Sequence, residues 1–137
     1  MSMITLADRL LNELDHRRLT LLRGKQTEQD IPAEFDELLE AADIVPPTDV
    51  PPDRVTMYSQ ILVEEPEFVA PRKLVVCYPA DSDPAAGFIS VLSPLGAALL
   101  GQRAGDTANW HGPDGTHKHL RIASILFQPE ASGDYTL

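Results

Sequence analysis

Near the start of the chain, leucines recur at the spacing of an amphipathic helix. This pattern predicts a helix from Thr5 to about Arg23, with Thr5 and Asp8 as a capping pair in its first turn. Gly24 ends the pattern, and the polar residues 25–30 predict a turn. The leucines that form the apolar face are Leu6, Leu10, Leu14, Leu21 and Leu22.

A second helical segment follows this turn. Pro32 suits the first position of a helix, and apolar residues at helical spacing extend the segment to about Asp43. Because each helix has a single apolar stripe, we expect the two to pack antiparallel as a short coiled-coil hairpin. The stripe of the second helix consists of Phe35, Leu38, Leu39 and Ala42.

Prolines divide the chain into two parts. Four of the seven residues from 46 to 52 are proline, and proline excludes a helix because its φ angle is fixed and it has no N–H group. We therefore predict an N-terminal helical hairpin over residues 1–45, a stiff linker over residues 46–52 and a C-terminal domain over residues 53–137.

The second part has the two-residue period of β-strands. A Gly112–Gly115 turn separates the last two predicted strands. The alternating or apolar runs that predict strands are 55–63, 74–78, 88–92, 107–111 and 119–127.

One short helix interrupts these strands. Ser93 is a good N-cap residue, Pro94 suits the first helical position and Gly101 stops the helix. The fold class is therefore α+β, with a twisted antiparallel sheet, one short helix across it and an attached helical hairpin. The polar residues 128–137 predict a surface tail.

The amino-acid composition excludes several classes of protein. The chain has 137 residues, of which 43% are hydrophobic, which suits one globular domain with an appendage and excludes a multidomain enzyme. Its 11 basic and 21 acidic residues give a net charge of −10, which disfavours direct binding of nucleic acid. No apolar run reaches the ~20 residues of a membrane span and no secretory signal is visible, so we expect a cytoplasmic protein.

Three histidines and two aspartates are candidates for site chemistry. His117 and His119 share one face of a strand, with His111 opposite across the turn, and this could begin a zinc site. No acidic residue at a matching position completes such a site, and a solvated strand end explains the histidines. Asp81 and Asp83 flank a loop, where turn formation explains them without catalysis.

The single cysteine, Cys77, lies in an apolar strand, where it packs as a small hydrophobic residue. A reactive thiolate needs a nearby cation, and Arg72 and Lys73 are too far along the strand to provide one. The chain also lacks the glycine-rich motifs that hold nucleotide phosphates. We therefore predict no catalytic residue, no metal and no cofactor.

The segment from Phe88 to Asp106 resembles the Gre-type transcription elongation factors. The similar features are the Ser-Pro helix start, the small-residue helix and the Gly-Asp turn, followed by the Trp110 strand and its hairpin. The resemblance implies an FKBP-like C-terminal domain. Residues 55–59, 94–101 and 128–135 resemble the branch of this superfamily called regulators of nucleoside diphosphate kinase.

The resemblance implies a protein that binds RNA polymerase at the rim of its secondary channel, reaches DNA only through the polymerase and is not an enzyme. Ser93 and Pro94 match the Ser-Pro position that contacts the polymerase in that family. Leu92 stands where Gre factors commonly have an acid. Capping of the helix by Ser93 and initiation by Pro94 explain the same two residues equally well.

Cleavage-inducing Gre factors have a long coiled coil whose acidic D-x-x-E tip helps hold a Mg²⁺ ion in the polymerase. Here the predicted tip offers Glu28 and Asp30 at another spacing. The predicted helices extend only about 28 Å and about 18 Å at ~1.5 Å per residue. We therefore expect a factor that competes with Gre factors without stimulating transcript cleavage.

Two alternatives remain. An FKBP-like fold suggests a peptidyl-prolyl isomerase, but its pocket needs several aromatic residues, and the chain has only one Trp, three Tyr and four Phe. The branch name also suggests a direct protein partner of nucleoside diphosphate kinase. That name equally describes an indirect effect on the level of the kinase through transcription.

Overall fold

A computed structural model describes residues 9–134 of the chain. Its three α-helices and seven β-strands enclose one hydrophobic core within this range. The helices are α1 (Glu13–Gly24), α2 (Ala33–Ala41) and α3 (Pro94–Leu99). The strands are β1 (Leu10–Asn12), β2 (Asp43–Val45), β3 (Gln60–Glu64), β4 (Arg72–Cys77), β5 (Phe88–Ser90), β6 (Thr107–His111) and β7 (His117–Phe127).

Five strands form the main sheet in the order β5-β4-β3-β7-β6. The prediction of an antiparallel sheet is wrong at one edge, because β5 pairs parallel with β4. The chain leaves β4 through two 3₁₀ turns, Pro79–Asp81 and Pro84–Ala86, and returns to the same end of the sheet before β5 begins. The other three pairings are antiparallel, so the fold is α+β with a mixed sheet.

The first helix is shorter than predicted. It begins at Glu13, because Leu10–Asn12 is extended and pairs parallel with β2. The Leu10 N–H donates to the Gly101 carbonyl at 3.1 Å, and these long-range backbone bonds replace the first helical turns. Asn12 is the N-cap and accepts from the Asp15 N–H at 2.7 Å. The predicted capping pair, Thr5 and Asp8, lies outside the described residues.

The second helix also ends early, because Asp43 already belongs to β2. Leu19 of α1 and Phe35 and Leu38 of α2 are fully buried in the core that they share with the main sheet and α3. Both N-terminal helices therefore contribute to the same core as the C-terminal strands. The three-part division of the chain at residues 46–52 stays a prediction.

The predicted strand at 55–63 starts later than expected. The residues that were predicted to face the core are buried as expected, but the chain turns before it enters β3 at Gln60. At this turn the Thr56 N–H donates to Ser59 Oγ at 2.9 Å, and Tyr58 has a φ of 66°. The alternating buried residues are Val55, Met57, Ser59, Ile61 and Val63.

The predicted surface tail is also wrong for its first residues. Gln128, Pro129 and Glu130 are buried. Gln128 Nε2 donates to the carbonyl oxygens of Pro51 at 2.8 Å and Arg54 at 2.9 Å. The C-terminal segment is thereby fastened over the loop that precedes β3, and residues 135–137 lie outside the described range.

Candidate partner-binding surface

The predicted docking residues lie at the start of α3, where sequence analysis expected a capped helix. Ser93 Oγ accepts from the Gly96 N–H at 3.0 Å and donates to the Ser90 carbonyl at 2.6 Å. Pro94 is the first residue of α3, and Leu92 is half-buried against the core. The capping role of Ser93 is therefore confirmed, and its hydroxyl is used within the protein.

A cavity of about 220 Å³ lies between the start of α3 and the end of β6. We call it the α3 groove. Its apolar wall includes Leu95 and Trp110, and its polar rim includes Ser93 and His111. Trp110 is only partly buried and therefore offers apolar surface to a partner. Such a groove suits an apolar ridge of another protein, since exposed tryptophans are enriched where interfaces bind most strongly.

Leu95 and Trp110 were not predicted to lie in this site. The sequence carried one signal for Trp110, because Ala108 and Trp110 are two residues apart in β6 and so share one face of the strand. Ala108 is fully buried on that face. The alternation does not give the position of α3 relative to β6, which depends on tertiary packing.

Helix α2 contacts one edge of the α3 groove. Glu34 Oε2 accepts from the backbone N–H of His111 at 3.0 Å and lies 3.4 Å from its Nδ1 atom. The Glu34 side chain is only 14% exposed, whereas the His111 side chain is 67% exposed. Helix α2 therefore borders the α3 groove on its His111 side.

The predicted tip residues have local partners. Glu28 pairs with Arg23 at 3.3 Å, and Asp30 Oδ2 accepts from Thr27 Oγ1 at 2.7 Å. Arg23 also binds both carboxylate oxygens of Asp36, at 2.7 and 3.0 Å. These hydrogen bonds lower the pKa of Asp36 and fix the turn between α1 and α2.

Two buried carboxyl groups, which sequence analysis missed, join the chain ends. Glu130 accepts from Asn12 Nδ2 and from Thr56 Oγ1, each at 2.7 Å. Asp15 is 1% exposed, and its Oδ2 lies 3.4 Å from the Met57 nitrogen. Burial first, and then the charge of Glu130, raises the pKa of Asp15 to about 7. Because the donors to Glu130 are structural groups, we interpret Asp15 and Glu130 as part of a buried polar cluster that stabilises the fold, and not as a catalytic centre.

The remaining candidates have structural explanations. His117 stacks on His119 with ring centroids 6.3 Å apart, and its ring lies 6.0 Å from that of His111. Across residues 9–134, no group of three or more His, Cys, Asp or Glu side chains could hold a metal ion. Cys77 is fully buried, and burial raises the pKa of its thiol. Asp81 accepts from the Tyr58 hydroxyl, which gives that carboxylate a structural role.

No helix in the described part of the chain is long and apolar enough to cross a membrane.

Comparison with known proteins supplies the context for this surface. The sequence profile "Transcription elongation factor, GreA/GreB, C-term" matches residues 50–127, which include α3 and β6. "Regulator of nucleoside diphosphate kinase" of Escherichia coli K12 is 34% identical over 130 residues, covering 93% of this chain and 96% of that protein. "Transcription elongation factor GreA" of Clostridium acetobutylicum is 29% identical over 91 residues, covering 66% of this chain and 58% of that protein.

A solved structure has the same overall arrangement. It is the "Prokaryotic transcription elongation factor GreA/GreB from Nitrosomonas europaea", which is 30% identical in sequence and superposes with a TM-score of 0.70. The match covers 88% of this chain and 98% of that one. The likeness therefore extends beyond the part that matches the family profile.

Proposed function

The chain belongs to the GreA/GreB transcription elongation factor family, within the branch of the regulators of nucleoside diphosphate kinase, and from this we propose that it regulates transcription by binding RNA polymerase at the rim of the secondary channel. The matched residues include the Ser93–Pro94 start of α3 and the strand that carries Trp110. Its relatives are regulators or transcription factors, so the proposed activity is binding.

The α3 groove is the proposed docking surface. Pro94, Leu95 and Trp110 give it an apolar wall, and Leu92 stands beside the helix start. Because Ser93 Oγ already donates to and accepts from backbone groups, Ser93 acts by fixing the direction of α3. The main affinity then comes from burial of Trp110 and its neighbours, as expected for a tryptophan at the centre of an interface.

The N-terminal helices are short, and from their length we infer that the protein does not stimulate transcript cleavage. Helix α1 has 12 residues and α2 has 9, so they extend about 18 Å and about 14 Å. These lengths are below the values expected from the sequence. A carboxylate contributes to a Mg²⁺ site only within ~2.1 Å of the ion. Glu28 and Asp30 on such short arms stop well before the polymerase active site, and each already has a partner.

Binding without cleavage makes the protein a competitor. A factor that occupies the channel rim excludes other factors that use the same surface, in proportion to its concentration and affinity. We therefore propose that this protein antagonises Gre factors and influences nucleoside diphosphate kinase indirectly, through transcription.

Capture of core RNA polymerase tests the proposal. We expect the immobilised protein to retain the polymerase and to release it when excess GreA is added. Trp110→Ala should weaken capture by about tenfold or more. Phe68→Ala is the matched control, because Phe68 is an aromatic residue 51% exposed in the β3–β4 loop. Simultaneous binding of both factors, or equal loss in both variants, would contradict the shared docking surface.

A cleavage assay tests the second half of the proposal. Stalled transcription complexes should show no faster transcript cleavage with this protein than without it, and GreA added alone supplies the positive control. A clear acceleration would show that the short arms do reach the active site.

The name of the Escherichia coli relative supports one alternative, direct contact with nucleoside diphosphate kinase. The alternative predicts that the two purified proteins co-elute in gel filtration in the absence of polymerase. The proposal of an indirect effect predicts separate elution.

A further inference from the structure

Helix α1 has a second face that its own fold leaves uncovered. The helix buries Asp15 and Leu19 against the core. On another side it presents Leu14, which is half-buried, and Leu21, which is 62% exposed. Leu21 lies beside Leu22 and Tyr78 at one cavity, so its apolar surface is continuous with theirs.

The residues on this face have coiled-coil spacing. Leu14, Arg18, Leu21 and Lys25 are separated by four, three and four positions, which is the alternation of a and d positions in a heptad. The leucines occupy both d positions and the basic residues both a positions. This stripe, which we call the α1 seam, is about 17 Å long.

The seam borders a cavity of about 290 Å³. Leu22 and Tyr78 form its floor and pack against the hydrophobic core, so the floor is fixed. Arg18, Leu21 and Lys25 form the wall along the helix. A second cavity, of about 370 Å³, lies on the Leu14 side between α1 and Pro47. The Leu21 end of the seam can therefore receive apolar side chains of a partner, whereas Glu13 and Arg17 make the Leu14 end more polar.

The charge of the α1 seam indicates which class of partner it binds. The whole chain carries a net charge of −10, yet residues 16–25 contain four basic residues and no acidic one. Arg23 pairs with Glu28 and Asp36, whereas Arg18 and Lys25 line the cavity beside Leu21. Arg18 lines this cavity together with Tyr78. Arg17 lines the second cavity, together with Leu14 and Glu13. The seam thus combines apolar knobs with positive charge.

We propose that the α1 seam is a second interaction surface, which binds an amphipathic helix of an acidic partner protein. Leucines of the partner would pack against Leu14 and Leu21, and its carboxylates would face Arg18 and Lys25. A second copy of this chain fits poorly, because a symmetric pairing of seams brings like charges together. Nucleic acid also fits poorly, because the leucines contribute nothing to phosphate binding and the chain as a whole is acidic. This surface goes beyond polymerase docking in the α3 groove.

The test uses the full-length protein and a synthetic helical peptide of about three heptads. The peptide carries leucine at d, glutamate at a, e and g, and alanine elsewhere, and a matched peptide carries lysine in place of glutamate. Fluorescence anisotropy of the labelled peptides measures binding. We expect saturable binding of the glutamate peptide, about tenfold or more tighter than that of the lysine peptide, and weakened by salt.

Variants locate the binding to the seam. Leu21→Ser should weaken binding of the glutamate peptide by about fivefold or more. Lys25→Glu should shift the binding preference toward the lysine peptide. Val69→Ser is the control, because Val69 is a fully exposed apolar residue in the β3–β4 loop. Circular dichroism verifies that each variant is folded.

Three results would overturn the proposal: no saturable binding of the glutamate peptide below about 1 mM, equal affinity for both peptides, or equal loss in Leu21→Ser and Val69→Ser. Self-association of the protein that Leu21→Ser abolishes, seen by analytical ultracentrifugation, would identify a second copy as the occupant and would also overturn it. None of these measurements uses polymerase, so their outcome is separate from that of the proposed function.

Discussion

Asn12 and Glu130 are 118 positions apart in sequence and are joined by a hydrogen bond from Asn12 Nδ2 to Glu130 Oε2 at 2.7 Å. The same asparagine caps α1 through its Oδ1 atom. The other oxygen of Glu130 accepts from Thr56, whose hydroxyl also contacts Ser59 at 2.8 Å. One buried carboxylate thus holds together the start of α1, the loop before β3 and the C-terminal segment.

Replacement of Glu130 by alanine should destabilise the protein. The change leaves the buried Asn12 amide without its acceptor and removes one of the partners of the Thr56 hydroxyl, which still contacts Ser59. An unsatisfied buried polar group costs about 1–3 kcal/mol, and we expect the free energy of unfolding in urea to fall by about that amount. Glu40→Ala, at an exposed position of α2, is the control and should change little. Equal free energies of unfolding for both variants would contradict the stabilising role of Glu130.

Stability should depend on pH through Asp15. Burial and the Glu130 charge raise the pKa of Asp15 to about 7 in the folded protein, against 3.8 for an unperturbed group. The folded state therefore holds a proton that the unfolded state releases, and stability falls as pH rises from about 4 to about 7. Below this window the contribution is fully present, and above it the contribution is lost.

Asp15→Asn should remove this dependence, because the amide cannot ionise. At pH 8 we expect the variant to exceed the native protein in stability by an amount on the order of 4 kcal/mol, with a much smaller difference near pH 4. Urea unfolding at both pH values measures this. A variant that loses stability equally at the two values would show that the Asp15 charge is not the cause.

Gly96 should not tolerate a side chain. A Cβ atom there would lie 2.0 Å from the Ser90 carbonyl oxygen, which belongs to the backbone. Although alanine favours helices by about 1 kcal/mol over glycine, we expect Gly96→Ala to lower stability by about 1–3 kcal/mol or more through overpacking. Gly24→Ala is the matched control, since nothing lies within 4 Å of its added Cβ. Thermal unfolding that ranks the two variants equally would contradict the close approach of α3 to β5.

Ser93→Ala should distinguish the capping role of Ser93 from a direct contact with the polymerase. Loss of the bond between Ser93 Oγ and the Gly96 N–H should cost about 1 kcal/mol of stability. Ser93→Thr retains a capping oxygen and should recover most of that loss. Because the hydroxyl is turned inward, we expect polymerase capture by the folded Ser93→Ala variant to stay within about threefold of the native value, below the effect of a truncated interface tryptophan. A loss as large as that of Trp110→Ala would assign Ser93 a direct contact.

The elements that local sequence determines were predicted well. The Ser93 cap, the Pro94 start and the bounds of β6 are confirmed, because capping, turn chemistry and strand alternation act over a few residues. The pattern of buried residues from Val55 to Val63 is also confirmed, although the strand starts later.

Features that depend on distant partners could not be predicted in this way. Leu10 fits the helical spacing of its neighbours, yet backbone bonds to Gly101 and pairing with β2 hold it extended. Glu130 looks like a solvated tail residue until Asn12 and Thr56 supply its donors. The α3 groove was missed for the same reason, since Trp110 and Leu95 meet only through the packing of α3 beside β6.

The 118 positions between Asn12 and Glu130 have a consequence for folding during synthesis. A ribosome adds about 5–20 residues per second, so Asn12 is synthesised well before its acceptor. The pairing of β1 with β2 can therefore form early, whereas the bond to Glu130 closes only when nearly all of the described fold has been made. A truncation before Glu130 would weaken the opposite end of the described fold.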